Sequence, residues 1–231
     1  EMFWQDDDKK SEFSVPDNVV DLLFSIECRE IPVDHAHALS DALKKALPGM
    51  VEEARMGVHT IHVAGSQNGW ERPDHSPEER LVVSRRTKLT LRVPKERADE
   101  IQQRLQGAKL DLGGCALTIG KAKERLLSKQ GTLFARYVTC ESHEDEMHFL
   151  ERIAEELAGL GIKVRKALCG KTTPIHTPDG PIYTRSLMLA DLSQEEAVRL
   201  QETGLGPGRD MGLGIFLPHK GIDAVKQAED D

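Results

Sequence analysis

Cysteine is scarce and scattered in this chain of 231 residues. The four cysteines, Cys28, Cys115, Cys140 and Cys169, form no CxxC pair. A zinc ribbon needs such pairs at short spacing, so this class of metal site is unsupported. The spacing instead indicates reduced, buried thiols, which are typical of a cytoplasmic protein.

Long apolar runs are absent as well. No stretch reaches the roughly 20 apolar residues that a membrane-spanning helix needs. The opening residues 1–10 are mostly acidic and polar and show no secretory signal. We therefore expect a cytoplasmic protein that has no membrane partner.

Aromatic residues are also few, at 4% of the chain. A sheet that stacks single-stranded bases needs aromatic side chains on its central strands. Tyr137 is the lone candidate for such a contact, and packing in the core explains it better. Base stacking on a sheet is therefore poorly supported by the sequence.

The net charge of −8 is unevenly distributed. Residues 1–16 and 223–231 each carry a net charge of −3, whereas residues 79–130 carry thirteen Lys or Arg against six Asp or Glu. A local basic segment can bind a polyanion even in an acidic chain. On charge alone, however, a solvated and salt-bridged surface is the simpler interpretation.

Hydrophobic periodicity alternates between the strand and helix patterns in the first half of the chain. Strand-like alternation covers residues 20–28, 58–64 and 80–93, and two short strands flank a tight turn at 111–115 and end near Gly120. Helical spacing follows Asp34, a candidate N-cap, and Pro94. The order is βαββαβ.

The same order returns in the second half. Strands are predicted at 132–140, 162–169, 182–192 and 214–218, with a turn-rich loop at 172–181. Helices are predicted at about 143–160 and after Ser193, where Ser193 and Glu196 have the spacing of a capping box. Two consecutive copies of βαββαβ predict an α+β chain with two tandem ferredoxin-like (RRM-like) domains.

Four segments follow from this reading. Residues 17–128 and 129–222 are the two predicted domains. Residues 1–16 are interpreted as a flexible acidic tail or a non-native extension, and residues 223–231 as a second acidic tail.

The most informative motif lies between the last predicted helix and the last strand. It has five glycines in eleven residues: Gly204, Gly206, Gly208, Gly212 and Gly214. Glycine permits positive φ and close backbone approach, and successive amides can bind an anion. The motif is not a Walker A loop, and its place before the last strand excludes a dinucleotide-binding fingerprint.

A glycine-rich loop at this position of a tandem ferredoxin-like chain resembles the RAMP superfamily of CRISPR-associated proteins. Within it, the sequence is similar to the CRISPR repeat-specific endoribonucleases that cut precursor crRNA, in their Myxococcus-type variant. The resemblance covers roughly residues 18–221. It is carried by residues 32–39, 57–61, 84–92 and 192–201, and most specifically by 204–218. An aromatic residue often stands in that variant where this chain has His37.

The resemblance implies a reaction as well as a fold. The 2′-hydroxyl of the RNA attacks the adjacent phosphate on the 3′ side of a repeat stem-loop, without a metal ion or other cofactor. The products are a 2′,3′-cyclic phosphate and a 5′-hydroxyl, and the processed RNA is expected to stay bound. Histidine suits the acid and base roles near neutral pH, and cations or amides must stabilise the transition state.

The resemblance puts the catalytic histidine in or just after the first helix. His59 is the leading candidate, followed by His35 and His37, with His62 a poor fourth. His35 lies at a predicted helix N-terminus, where the dipole favours the neutral form. His35 and His37 point apart on a helix, so no metal site is expected there.

RNA-binding residues are expected on the basic strand and the glycine-rich loop. Arg86, Lys88 and Arg92 would share one strand face, with Arg85 on the other, although an exposed basic edge that prevents aggregation is an alternative. The full set of predicted RNA-binding residues is Arg85, Arg86, Lys88, Arg92, Gly204, Gly206, Gly208, Arg209, Gly212, Gly214 and Lys220.

Two other functions are alternatives to the endoribonuclease. A non-catalytic RAMP subunit that holds crRNA in a CRISPR effector complex fits the same loop and basic strand. A two-histidine phosphoesterase needs an HxT or HxS motif in each lobe, and the sequence has none. The expected partners are CRISPR repeat RNA or crRNA and further effector subunits, without direct DNA contact, for a monomer or homodimer.

Overall fold

The computed structural model describes residues 12–63 and 79–219. Within these ranges the chain forms two α+β halves, each with an antiparallel sheet and two α-helices. The strands of one sheet lie between Val19 and Leu126, and those of the other between Leu133 and Pro218. This architecture confirms the predicted pair of ferredoxin-like folds.

In residues 12–63 and 79–128, the first half forms seven strands and two α-helices. The strands are β1 (Val19–Glu27), β2 (Glu30–Pro32), β3 (Gly57–Val58), β4 (Arg80–Val82), β5 (Lys88–Pro94), β6 (Lys109–Leu112) and β7 (Cys115–Leu126). The helices are α1 (Ala36–Ala46) and α2 (Ala98–Leu105), the latter preceded by a 3₁₀ turn at Lys95–Arg97.

The main sheet of the first half has the strand order β3-β5-β1-β7-β6. Four of these strands, in the order β3-β5-β1-β7, give the ferredoxin-like arrangement, and β6 is added as a hairpin with β7. Alternate residues of β1 (Val20, Leu22 and Phe24) pack beneath Leu39 of α1 and Ile101 of α2. Among the described residues of this half, no helix covers the opposite face of the sheet.

The second half contains five strands and two α-helices. They are β8 (Leu133–Thr139), α3 (Glu146–Gly159), β9 (Lys166–Cys169), β10 (Thr173–Thr177), β11 (Gly180–Ala190), α4 (Gln194–Thr203) and β12 (Leu217–Pro218), with a 3₁₀ turn at Arg209–Met211. Strands β12, β8 and β11 are adjacent, and β9 and β10 pair with different parts of β11. Phe149 of α3 and Leu200 of α4 pack in the core on one face of this sheet.

Two local predictions are confirmed. Ser193 caps α4, and Glu196 completes the capping box by accepting from the Ser193 amide. All four cysteines are free thiols, of which Cys115 and Cys140 are buried.

Several predicted boundaries are wrong. Residues 80–93 are two strands, because β4 pairs with β2 and a turn at Arg85–Arg86 separates it from β5. The predicted loop at 172–181 contains β10, which forms a hairpin with β11. Asp34 does not cap α1; His35 occupies the N-cap position, without a side-chain cap.

The predicted N-terminal tail also extends too far. Phe13 and Val15 pack against Val19, Leu127 and Val198, so residues 13–15 join the folded chain. The acidic residues 223–231 lie outside the described residues, as does Lys220. In the described part of the chain, no helix has the length and hydropathy of a membrane span.

Candidate functional site at the junction of the two halves

The glycine-rich loop docks against the first half. A Cβ at Gly212 would lie 2.8 Å from Cγ2 of Thr60, and one at Gly214 would overlap the carbonyl oxygen of Leu205. Both glycines have positive φ, so the sequence needs glycine there for conformation and for space. Leu213 between them packs with Ala36 of α1 and Ile175 of β10.

The charged residues in this loop are also engaged by the first half. The Arg209 Nε donates to the carbonyl oxygen of Met56 at 3.1 Å. Asp210 accepts from the Ser40 hydroxyl at 2.9 Å and pairs with Lys44 at 2.8 Å. The loop therefore fastens the second half to β3 and α1.

The guanidinium of Arg209 is buried although it is charged. Its two Nη atoms are buried, and neither has a hydrogen-bond partner among the described residues. Burial, together with repulsion from Arg92, lowers the pKa of Arg209 to about 10. This enclosure does not fit the expectation that Arg209 contacts RNA.

The predicted RNA-binding glycines have different surroundings. Gly204, Gly212 and Gly214 are buried, which does not fit a direct contact with phosphate. Gly206 is exposed, and Gly208 is partly exposed. Gly206 and Gly208 are therefore the loop positions that remain accessible for this role.

Arg92 is completely buried where the two halves meet, so the expectation that it faces RNA is wrong. Its guanidinium pairs with both carboxylate oxygens of Asp21, at 2.9 and 3.1 Å. The Nη1 atom donates to the carbonyl oxygens of Gln201 and Phe216, both in the second half. Arg92 thus lies on the helix-free face of its sheet, as the alternation predicts, but the second half covers that face.

His59, the leading catalytic candidate, belongs to this buried network. Its side chain is 6% exposed, and Nε2 lies 3.6 Å from Asp21 Oδ1, which is too long for a hydrogen bond. Burial lowers the pKa of His59, although Asp21 opposes the shift. Burial would raise the pKa of Asp21, but Arg92 and His59 hold it well below its usual range.

His35 is buried as well, and both its ring nitrogens are engaged. Nδ1 lies 2.9 Å from the carbonyl oxygen of Pro32, and Nε2 accepts from the amide of Ile61 at 2.8 Å. This pair of contacts assigns the proton to Nδ1. Burial lowers the pKa of His35, which keeps the ring neutral, so the ring joins two segments of the first half.

His37 is the most accessible of the three predicted catalytic histidines. It lies in the first turn of α1 and is partly exposed. The structure therefore separates the three candidates: His59 and His35 are buried, and His37 reaches solvent.

Two further histidines lie beside a shallow cleft at the junction, here named the junction cleft. It is lined by Val33, Asp34, His35, Ala36, Thr60, Tyr137 and Ile175.

His176 of β10 is held at this cleft by Asp34 of the first half. Its Nδ1 lies 2.7 Å from Asp34 Oδ2, and its backbone amide donates to the same oxygen at 3.0 Å. The Asp34 side chain is 5% exposed, whereas that of His176 is 46% exposed. A carboxylate at Nδ1 fixes the tautomer that leaves the lone pair on Nε2.

His62 forms the second pair, with Arg136 of β8. The His62 Nδ1 accepts from Arg136 Nη2 at 2.6 Å, across the junction. His62 is exposed while its neighbours Ile61 and Val63 are buried, and Thr60, two positions earlier, lines the cleft. Burial, and then Arg136, lower the pKa of His62.

The sequence ranks His62 low and selects neither His176 nor Arg136 as a site residue. A weak signal existed for His62, because it is polar between two apolar residues. Nothing in the sequence pairs Asp34 with His176, which lies 142 positions away.

Several basic residues of the first half lie on its main sheet or in the turn before β5. Arg85 and Arg86 are exposed in the turn before β5. The predictions that Arg86 shares a strand face with Lys88 and that Arg85 lies on the opposite strand face are therefore wrong. Lys88, opposite Ser25, is exposed on the helix-free face. Sequence reasoning missed its companions on β7: Lys123 pairs with Leu23, and Arg125 pairs with Asp21.

Comparison with known proteins gives a consistent result. The family model described as "Cas6 Crispr" matches residues 20–221. The chain is 33% identical over 199 residues to the CRISPR-associated endonuclease Cas6 of Myxococcus xanthus (strain DK1622), which covers 86% of this chain and 81% of that protein. The chain belongs to the Cas6 family.

Solved structures of Cas6 proteins share the fold. A CRISPR-associated protein Cas6 superposes with a TM-score of 0.61 at 14% identity, over 87% of this chain and 100% of that one. A Cas6-related protein of Pyrococcus furiosus gives 0.61 at 15% identity, over 87% and 99%. Cse3 of Thermus thermophilus, solved with RNA, gives 0.50 at 14% identity, over 87% and 98%.

Family membership confirms the resemblance to CRISPR-associated RAMP proteins. A catalytic group must reach its substrate, so the polar groups that reach solvent are the candidates. In the described residues, no three His, Cys, Asp or Glu side chains are grouped so that they could hold a metal ion. The cross-junction pairs Asp34–His176 and His62–Arg136 combine a histidine with an orienting or cationic partner.

Proposed function

We propose that this chain is a precursor-crRNA endoribonuclease that cuts within CRISPR repeats, on the 3′ side of a stem-loop. The cut uses no metal ion, and the protein keeps the processed RNA. The observation that carries this proposal is the junction cleft of a Cas6-family chain, where Asp34–His176 and His62–Arg136 both bridge the two halves.

His176 is suited to be the general base. With Nδ1 facing Asp34, its Nε2 lone pair can accept the proton of the attacking 2′-hydroxyl. The O2′–P bond then forms while the P–O5′ bond breaks, and the leaving O5′ takes up a proton. The products are a 2′,3′-cyclic phosphate and a 5′-hydroxyl.

Arg136 and His62 are suited to stabilise the charged phosphate. The guanidinium supplies positive charge where the transition state gains negative charge. Because Arg136 occupies His62 Nδ1, the proton of the neutral ring lies on Nε2, which can donate a hydrogen bond to the phosphate or to the leaving oxygen. A bound phosphate would compete with His62 for Arg136.

His37 is retained as a further candidate because it is partly exposed in the first turn of α1. His59 and His35 become positioning residues in this proposal. His59 lies beside the Asp21–Arg92 pair that holds the halves together, and His35 fixes the segment that leads to His62.

RNA is expected to reach the cleft along exposed basic residues. Arg85, Arg86 and Lys88 keep their predicted role, and Lys123 and Arg125 are added to it. Such contacts hold the phosphates of a stem without reading most of its bases.

The test is incubation of the purified chain with its cognate repeat RNA in EDTA, followed by analysis of the RNA ends. One cut with a 5′-hydroxyl and a cyclic or 3′-phosphate end is expected. Cleavage that stops in EDTA and returns with Mg²⁺ would contradict the metal-free mechanism. A matched pair, His176→Ala and His143→Ala, compares a histidine beside the cleft with an exposed histidine in the turn before α3; only His176→Ala should lose cleavage.

The second candidate function is a non-catalytic subunit that holds crRNA in an effector complex. It is favoured by one observation, the burial of two of the three histidines that the sequence selects. It predicts tight RNA binding without cleavage at enzyme excess. The proposed cytoplasmic location, the RNA and effector-subunit partners, the lack of direct DNA contact and the monomer or homodimer stay predictions under either function.

A further inference from the structure

The second sheet carries a row of apolar side chains across its four main strands. Leu168 of β9 pairs with Met188 of β11, Met188 pairs with Phe134 of β8, and Phe134 pairs with Leu217 of β12. Directly paired residues project from the same face of a sheet. These four residues, Leu168, Met188, Phe134 and Leu217, are named the apolar row.

The apolar row lies on the face opposite to α3 and α4. The flanking residues of the same strands, such as Leu187, Leu189 and Leu133, are buried in the core beneath those helices. Leu168 is instead 60% exposed, and Met188, Phe134 and Leu217 are partly exposed. A contiguous apolar strip on a polar surface marks a contact site more often than chance decoration.

Aromatic and cationic groups surround the apolar row. The exposed His219 ring lies against Phe134, with ring centroids 5.6 Å apart. Arg136 lies two positions after Phe134 on the same strand. Lys166 lies two positions before Leu168 and forms an exposed ion pair with Asp191 at 3.4 Å. Next to Arg136, the neighbouring strands carry Ser186 on β11 and Gly170 after β9, and neither residue is charged.

This environment matches a nucleic acid better than a protein partner. A half-exposed phenyl ring on the first strand of a ferredoxin-like sheet can stack on a base, and stacking tolerates any base. Arg136 connects the row to the junction cleft, because it also contacts His62. One continuous path therefore runs from the cleft to Phe134.

We propose that the apolar row binds unpaired nucleotides of the RNA, with a base stacked on Phe134 beside His219. This inference rests on the proposed endoribonuclease function and deepens it, because it names the part of the RNA that the second sheet receives. From the sequence, base stacking on a sheet is poorly supported and Tyr137 is the lone candidate; the proposal assigns the stacking to a different ring, Phe134.

The experiment is a two-by-two comparison of RNA affinity under conditions that prevent cleavage, using RNA with a 2′-deoxy substitution at the cut site. One RNA is the repeat stem-loop with about ten unpaired nucleotides, and the other is the stem-loop alone. Phe134→Ala should weaken binding of the longer RNA about tenfold, within the range of base–aromatic stacking, and leave the stem-loop affinity unchanged. Phe134→Tyr should restore most of the affinity.

Matched controls separate stacking from folding and from general stickiness. Met147→Ala removes a side chain that is 63% exposed on α3, on the other face of the sheet, and should change neither affinity. Phe134→Leu keeps the apolar volume without the ring and should behave like Phe134→Ala. Quenching of 2-aminopurine in the unpaired segment should be lost in both variants.

Four outcomes would overturn the inference. Equal binding of both RNAs by wild type, or unchanged binding by Phe134→Ala, would leave the cleavage function standing and point to a protein partner on the row. Recovery by Phe134→Leu would show an apolar contact without stacking. Failure of wild type to bind either RNA would overturn the proposed function together with this inference.

Discussion

The interior and the edge of the domain junction use similar residues for different purposes. In the interior, Asp21, Arg92 and His59 are buried together, and Arg92 reaches the backbone of the second half. At the edge, His176 and His62 are solvent-accessible, and each is held by a residue of the other half. Residues of both regions bridge the two halves, but only those at the edge are exposed enough to contact a substrate.

The difference has an energetic reason. A buried ion pair recovers its desolvation cost only when its hydrogen bonds are complete, and Arg92 meets this condition with Asp21 and two carbonyl oxygens. An exposed histidine contributes little to stability but can exchange protons with a bound substrate. Interior substitutions should therefore change stability, and edge substitutions should change chemistry.

The largest effect is expected from Arg92→Ala. It leaves Asp21 buried without its main partner and removes two contacts to the second half, so the free energy of unfolding should fall by about 3–5 kcal/mol. Denaturant unfolding measures this loss. Arg125→Ala is the matched control, because Arg125 is 53% exposed and lies 3.6 Å from Asp21; it should cost less than about 1 kcal/mol. Equal losses of unfolding free energy in the two variants would contradict the distinction between interior and edge.

The next effect is expected from His35→Ala. The change leaves the Ile61 amide and the Pro32 carbonyl without their buried partner and opens a cavity, which should cost about 2–3 kcal/mol. His62→Ala serves as the control, because His62 directly follows Ile61 but is exposed, and its unfolding free energy should stay within about 1 kcal/mol of wild type. A His35 variant of normal stability would contradict the positioning role.

A smaller effect is expected from Gly212→Ala in the docked loop. Positive φ costs an L-residue about 1–2 kcal/mol, and the added Cβ would also press on Thr60. Gly206→Ala has a similar φ but open space around it, so it should show the conformational cost alone. If Gly212→Ala lowers the free energy of unfolding no more than Gly206→Ala does, the loop can shift away from Thr60 at no cost.

The smallest effect is a pH dependence of stability. The pKa values of His35 and His59 are lowered by burial, so the unfolded chain binds more protons below its ordinary histidine pKa of about 6.5. Stability is therefore complete above that pH and is lost as the pH falls, by roughly 1 kcal/mol between pH 7 and 6. Thermal unfolding across this range measures it, and His35→Gln should flatten the curve. A stability that rises toward pH 6 would contradict neutral buried rings.

The fold could be predicted because its signals are local. The alternation of strands and helices gave βαββαβ twice, and the Ser193–Glu196 capping box is a contact between close neighbours. The strands that the prediction misplaced, β4 and β10, depend on partners: β4 exists through its pairing with β2, and β10 through its hairpin with β11.

The candidate site was harder to predict than the fold, because its geometry depends on how the two halves of the chain pack against each other. Alternation correctly predicted that Arg92 leaves the core of its own half, but the sequence does not reveal that the second half covers that face. His59 and His62 are three positions apart in one extended segment, and only the structure shows that one is buried and the other exposed.

The most direct test compares cleavage by His176→Ala and His59→Gln in EDTA, under single-turnover conditions with saturating protein and confirmed folding. Loss of a general base typically lowers the rate by about 10²–10⁴-fold. The account predicts a loss of this size for His176→Ala, with RNA affinity retained. It predicts a rate within about tenfold of wild type for the folded His59→Gln, because that side chain is buried. The opposite order, with His59→Gln inactive and His176→Ala at the wild-type rate, would contradict it.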